Sequence, residues 1–497
     1  MTSATGSAAA GSSAGDGRFD ARRRLIGLAL GPLLFGLVLL LPLDLSPEAH
    51  RLAAVVTLVI VFWVTEALPL AVTALLGPTL AVIFQVAPVG AAFAPMANPI
   101  VFLFIGSFIL AQGLFVHRVN ERIAYSVLSW SIIGARPTRI LLAYGMLAAF
   151  LSAWMSNTAT AAMLVPIGMS LVAFMENEGG TPRRYGTAVM LMTAYGCSFG
   201  GMATPVGTPP NLITIAMLDD LVGVRISFVE WMGLAAPIAI LLMVLAFVYL
   251  NRIGRTGVRE IPGATAIVAE RKQALGPWTA GQRNAVLAFG VTVCLWVGPG
   301  LLALVIGRDH PLAQLLQASV PESVAALSGA ILLFLLPASR EQRTTITWKQ
   351  AAQIDWGTIL LFGGGLSLGA LSSSTGLALA VGEGITGLLP TDAVVPLTFA
   401  GALFTVVLSN AMSNTAATNI AIPIIVSIAM AAGVDPVVPA VAAGLSASVA
   451  VVLPVSTPPN AIVYASGRVP IVLMIRHGLL MNAMAILVVP VAVLLLT

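Results

Sequence analysis

Polar residues along this chain fall as breaks between long apolar runs, with no alternation of period two. Eleven runs have spanning length, near 25–43, 51–66, 68–87, 98–117, 185–218, 229–250, 284–306, 321–338, 355–377, 435–466 and 470–495. About 20 apolar residues carry a helix across a bilayer, whereas barrel strands are shorter and alternate. Two further apolar stretches, 137–176 and 392–432, are each cut near the middle by Ser-Asn-Thr. The pattern predicts an all-α polytopic membrane protein with eleven transmembrane helices. The course of the two interrupted stretches is decided by charge.

If each interrupted stretch enters and leaves on one side, as a re-entrant hairpin, the basic residues sort cleanly. With the N-terminus in the cytoplasm, 21 of the 24 Lys and Arg lie inside, and only Arg51, Arg225 and Arg308 lie outside. This is the positive-inside distribution. Read as complete spans, the same stretches would carry loop 177–184 and the basic loop 251–283 to the outside. The hairpin reading is adopted. It gives a multi-pass protein of the cell (inner) membrane with its C-terminus outside.

Composition narrows the class further. The chain of 497 residues is 58% hydrophobic and only 9% charged, with mean hydropathy +0.98, against about 25% charged in soluble domains. A soluble enzyme and a nucleic-acid binder are excluded. Cys197 and Cys294 lie in apolar stretches without CxxC spacing, so they read as membrane-buried small residues, with no disulfide and no metal pattern. Residues 1–24, rich in Ala, Ser and Gly and ending in Arg22-Arg23-Arg24, read as a disordered cytoplasmic tail before a retained first span. The stretch 251–283, with six Lys and Arg, reads as a solvated linker between two halves.

An internal repeat carries the functional argument. Ser156-Asn157-Thr158 recurs 257 residues on as Ser413-Asn414-Thr415, and Leu103-Phe104-Ile105-Gly106 recurs 258 residues on as Leu361-Phe362-Gly363-Gly364. Thr208-Pro209-Pro210-Asn211 recurs 249 residues on as Thr457-Pro458-Pro459-Asn460. The spans between the copies put the first hairpin inside and the second outside. Inverted repeats of this kind recur among secondary transporters.

The motifs have a direct physical reading. Irregular backbone survives at membrane depth only where it is buried in protein or lines a watery cavity. A fresh helix is expected after each break, from Thr158, Pro209, Thr415 and Pro458, and Pro suits a first helical turn. Four helix N-termini near the midplane make an anion site without a cationic side chain. The freed carbonyls and the Ser and Asn oxygens suit a hard monovalent cation such as Na⁺. His50, His117, His310, His477 and nearly all Asp and Glu fall in loops or at span ends, which leaves a proton relay without a carrier. Glu66, in Thr-Glu-Ala-Leu-Pro between two spans, reads as an interfacial helix break; a proton relay is the alternative.

At these residues the chain closely resembles the divalent anion/sodium symporter family, which carries di- and tricarboxylates. The resemblance runs from about residue 25 to the end and includes WVTEALPL (63–70), SNTAT (156–160), VGTPPN (206–211), SNTAAT (413–418) and VSTPPN (455–460). It implies a homodimer in which each protomer has a scaffold and a moving transport domain, working as an elevator. The implied divisions are 25–95 (scaffold helices), 96–250 (first repeat), the linker 251–283, 284–353 (scaffold helices) and 354–497 (second repeat). By resemblance, one sodium site uses Ser152, Ser156, Asn157 and Gly207. The other uses Ser409, Asn414 and the carbonyls of Met412 and Ser456. Substrate contacts would come from Ser156, Asn157, Thr158, Ser413, Asn414 and Thr415, with Thr208, Thr457 and Pro458 close by. Ser409 and Ser456 stand where some members have Thr and Ala.

The expected function is sodium-coupled symport of a C4 dicarboxylate (succinate, malate or fumarate class), with Na⁺ as co-transported ion and no organic cofactor. The expected partners are the dicarboxylate, the lipid bilayer and a second copy of the chain, with no nucleic acid. The alternative is a sodium-independent exchanger, or a citrate or sulfate carrier, of the same fold. No nucleophile–base pair or metal cluster appears at depth, which argues against an enzyme.

Overall fold

A computed structural model describes residues 5–179, 183–257, 260, 263–307, 309–339, 342–386 and 393–497. Arg259, Arg308 and Arg340, counted in the charge argument, lie outside the described residues. Among the described residues every regular element is a helix. Seven expected spans are single long apolar helices: Ala21–Leu40, Pro47–Thr65, Pro99–Val116, Phe228–Ile253, Ala280–Ile306, Trp356–Ser374 and Ile471–Leu496. The run 68–87 yields only Leu70–Ile83, since the chain leaves the helix at Phe84 and Gln85 takes a left-handed conformation (φ 53°). The run 321–338 yields Glu322–Leu335, bent by 58° from the short preceding helix Pro311–Ser319.

Both expected broken helices are broken. The first is Arg183–Met202 followed by Pro209–Val222, and the second is Val437–Ala447 followed by Pro458–Ala465. The interrupted stretches form helix pairs, Pro137–Ser152 with Asn157–Gly179, and Val394–Ala411 with Asn414–Ala431. Fresh helices start at Asn157 and Asn414, one residue earlier than expected. The preceding serines explain this: Ser156 Oγ accepts from Ala159 N and Ser413 Oγ from Ala416 N, each at 3.2 Å, which are N-cap bonds.

The two repeats pack alike and then interlock. Pro137–Ser152 lies along Arg183–Met202, and Val394–Ala411 lies along Val437–Ala447. Small residues make the first approach close, as between membrane helices generally. A Cβ on Gly200 would fall 2.2 Å from Ala149 Cα. Each trailing half-helix then crosses to the other repeat: Pro209–Val222 packs on Asn414–Ala431, and Pro458–Ala465 packs on Asn157–Gly179. Around this centre, Leu70–Ile83 packs on Trp356–Ser374, and Pro99–Val116 packs on Glu322–Leu335.

Polar contacts join loop ends that are distant in sequence. Arg23 pairs with Glu66 at 2.9 Å, the Tyr185 hydroxyl donates to Pro137 O at 2.8 Å, and Arg468 pairs with Glu176 at 2.5 Å. Asn98 donates to Asp220 at 3.2 Å and Ser46 to Thr375 O at 3.4 Å. The start of the stretch 137–176 is therefore held beside Tyr185, a few residues beyond its end. Leu397, near the start of the second pair, likewise clusters with Ile428 and Ala429 near its end.

Two expectations need correction, and the linker gains an element. The first helix runs Thr5–Leu40, so most of the tail 1–24 continues the first span instead of being disordered. Ala has the highest helix propensity, and extending an existing helix needs no new nucleus. The linker 251–283 contains the helix Ala264–Ala274, with most of its described residues exposed. Arg122, buried, donates to the carbonyls of Leu275, Gly276 and Pro277 at 2.8, 2.9 and 3.2 Å and lies 5.0 Å over the Trp278 ring. Of the two free cysteines, Cys197 is buried as expected, but Cys294 is exposed on the outer face of Ala280–Ile306. An apolar run does not say which of its faces meets lipid.

Candidate functional site: two serine–asparagine oxygen clusters

Each SNT triplet follows the C-terminal end of an entering helix, where the last carbonyls lack helical donors. In the first repeat, Ser152 Oγ donates to Cys197 O at 2.8 Å and lies 2.5 Å from the Asn157 amide. The same end of that amide is 3.2 Å from Cys197 O and 3.3 Å from Gly207 O. A nitrogen at this end donates to its neighbours, whereas an oxygen there needs a cation among them.

The second repeat copies the arrangement. Ser409 Oγ lies 2.7 Å from Asn414 Oδ1 and 2.6 Å from Ala447 O. One hydroxyl proton faces two acceptor oxygens, so one close oxygen–oxygen approach has no proton between them. The groups gathered at each cluster are neutral. The arrangement can take up a small cation bound by neutral oxygens.

The TPPN breaks complete the clusters. Asn211 Nδ2 reaches the carbonyls of Gly201, Met202 and Thr204 at 2.9, 3.3 and 2.7 Å. Asn460 Nδ2 reaches those of Ala450 and Leu453 at 3.3 and 3.0 Å. Each asparagine thus satisfies carbonyls that the break has released, which an unpaired buried backbone requires. Thr457 Oγ1 accepts from Asn460 N at 3.4 Å, whereas Thr208 makes no side-chain cap. Gly207 is needed as glycine: a Cβ would fall 2.5 Å from Gly201 O and 3.0 Å from Ala153 O.

Of the expected site residues, the structure brings Ser152, Asn157 and Gly207 together, and Ser409 with Asn414. Ser456 Oγ donates to Asn410 O at 3.1 Å, which ties it to the neighbour of Ser409. Met412 caps Val394–Ala411 through its N–H to Leu408 O. Ser156, Thr158 and Pro458 are exposed, while Thr208, Thr415 and Thr457 are buried. Sequence reasoning missed the carbonyls of Cys197 and Ala447 and the side chains of Thr204, Asn410, Asn211 and Asn460. The last two were within reach, since Asn is the one amide in each TPPN motif.

Glu66 takes a left-handed conformation (φ 49°) at the end of Pro47–Thr65 and pairs with Arg23, as suits an interfacial break. Among the described residues no three His, Cys, Asp or Glu gather as a metal group.

An all-helical protein with about ten apolar helices of spanning length and two interlocked copies of a broken-helix unit is a membrane transporter in class. The chain belongs to the sodium:sulfate symporter family, whose transmembrane region matches residues 23–496. That bears out the resemblance read from the motifs, and with it the expectation of a transporter and not an enzyme. The sodium-dependent dicarboxylate transporter SdcS of Staphylococcus saprophyticus is 32% identical over 481 residues, 94% of this chain and 90% of its own. SdcS of Staphylococcus aureus matches with the same identity and coverage. The fold resembles that of the Alcanivorax borkumensis YdaH transporter, with TM-score 0.56 at 16% identity over 96% of each chain.

Proposed function

We propose that this protein carries a C4 dicarboxylate into the cell together with sodium ions. The observation that carries the reading is the pair of similar clusters around Ser152–Asn157 and Ser409–Asn414, each gathering a serine hydroxyl, an asparagine amide and backbone carbonyls at a helix break. The names of the staphylococcal relatives supply the substrate class. The first ion is held by Ser152, Ser156, Asn157 and Gly207, and the second by Ser409, Asn414 and the carbonyls of Met412 and Ser456. The carboxylates take the N-terminal ends of the helices that follow, with Ser156, Thr158, Ser413, Thr415, Thr208, Thr457 and Pro458 around them.

Charge explains the coupling. A dianion held by neutral groups carries a penalty of several kcal/mol in the membrane interior. Two sodium ions cancel its charge, and a partly loaded carrier moves poorly. By linkage, substrate raises sodium affinity by the factor with which sodium raises substrate affinity.

The two SNT stretches are re-entrant hairpins on opposite sides of the membrane. The Tyr185–Pro137 bond and the Arg468–Glu176 pair support this, since a complete span would separate their partners. The repeats are inverted, the N-terminus is cytoplasmic and the C-terminus outside, in the cell membrane. The carrier is a homodimer whose central repeats slide against a scaffold of the outer helices. Uptake of labelled succinate into proteoliposomes, with and without a sodium gradient, tests the function. Uptake that rises only with sodium supports it; equal uptake in choline replaces symport by exchange.

A further inference from the structure

Each hairpin tip is fastened to the break loop beside it, and the two repeats do this with different residues. In the first repeat Thr204, 1% exposed, bridges the joint through one hydroxyl. Its Oγ1 donates to Ala153 O and accepts from Gly207 N, the latter at 3.1 Å. Ala153 follows Ser152 directly, and Gly207 supplies the carbonyl beside Asn157. One oxygen thus spans both halves of the first cluster.

The second repeat has Leu453 at the place of Thr204 and solves the problem from the other side. Asn410 follows Ser409 as Ala153 follows Ser152, and its carbonyl accepts from Ser456 Oγ at 3.1 Å. Its side chain adds a second hold, with Oδ1 accepting from Val452 N at 3.3 Å and Nδ2 donating to Val406 O at 2.8 Å. In both repeats the carbonyl next to the cluster serine accepts a hydroxyl from the break loop. Only the donor has moved, from position 204 to position 456.

We propose that Thr204 and Asn410 are positioning residues for the two sodium sites, setting the gap between hairpin oxygens and loop oxygens. The inference rests on the sodium-symport reading. Cation binding by neutral oxygens depends on their spacing, so widening the gap weakens ion binding before it affects substrate. Thr204 makes its joint with one side chain, whereas the second joint has two independent holds. The first site is therefore the more fragile.

The test is sodium-dependent succinate uptake by purified, reconstituted protein, with the sodium half-saturation read separately from the succinate KM at saturating sodium. Thr204→Val removes both bonds at nearly constant volume and should raise the sodium half-saturation about tenfold. Succinate KM at saturating sodium should stay within about twofold, since Thr204 is not placed against substrate. Thr204→Ser keeps the hydroxyl and should restore the wild-type sodium value. Ser456→Ala should shift it by less than about threefold, because the Asn410 side chain still holds Val452. Adding Asn410→Leu to Ser456→Ala should bring the shift to that of Thr204→Val. If Thr204→Val does not purify as a monodisperse protein, Thr204→Ala removes the same oxygen and is read the same way. An unchanged sodium half-saturation in the Thr204 variants, with a sodium-dependent wild type, overturns the inference. A sodium-independent wild type instead overturns the symport reading on which it rests.

Discussion

The first and second repeats build the same oxygen cluster on differently exposed ground. In the first, the hairpin tip is open at Ser156 and Thr158, while the break loop behind it is buried through Thr208. In the second, Thr415 at the tip is buried, and the loop is open at Pro458 and at Val455, which is 80% exposed. The leaving arm Asn157–Gly179 packs on Pro458–Ala465, so the helix that starts at one cluster meets the half-helix that leaves the other repeat's break. Equivalent chemistry has been kept at both clusters, and accessibility has not. The two copies should therefore tolerate the same substitution differently wherever the surroundings, and not the ligands, set the cost.

The largest effects should be those that ignore this difference. Asn157→Ala and Asn414→Ala should each lower succinate uptake by about 100-fold or more, because each removes an amide that the proposed sites share between ion and carboxylate. Size-exclusion profiles should stay those of folded protein, and near-wild-type uptake by either variant would remove the triplets from the mechanism.

Next comes the sharpest asymmetry. Gly207→Ala drives a Cβ into Gly201 O and Ala153 O, while Ser456 already carries a Cβ at the matching place. Gly207→Ala should raise the sodium half-saturation about tenfold or more, against less than about threefold for Ser456→Ala. Equal shifts would mean that the two loops are not in corresponding positions.

Ser152→Ala and Ser409→Ala should each weaken sodium by about tenfold, and by similar amounts, since each hydroxyl has the same two neighbours. A gap of more than about tenfold between them would break the symmetry of the clusters. Smallest of all, sodium should slow the reaction of buried Cys197 with a small thiol reagent, because its carbonyl lies in the first cluster. Labelling that ignores sodium would detach Cys197 from the ion site.

Which parts of this were legible in the sequence follows a physical line. Long apolar helices such as Phe228–Ile253 could be read directly, because lipid imposes their length and composition locally. The breaks at Ser156 and Thr208 were legible because polar residues interrupt apolar runs and do so twice. Thr204 and Asn410 were not. Each matters through a partner about 40 to 50 residues away, and no local pattern distinguishes a bridging threonine from one that bonds its own helix. The carbonyls of Cys197 and Ala447 were invisible for a deeper reason, since a backbone oxygen has no residue type to recognise. The linker helix Ala264–Ala274 was missed because its hold comes from Arg122, which sits on another element.

The leaving arm of the first hairpin has 23 residues and that of the second has 18. At 1.5 Å per residue the first rod is longer by about 7 Å, more than one full turn. Near its far end it carries Phe174, whose ring a Cβ on Gly263 of the linker would touch at 2.5 Å, and Glu176, which grips Arg468. At its near end is Asn157. Pro166 lies inside this arm and leaves one helical hydrogen bond unmade along its length. The arm thus joins Asn157 at the tip to a far end that lies against both the linker and Arg468, and a shift of either partner bears on the same helix that carries the cluster amide.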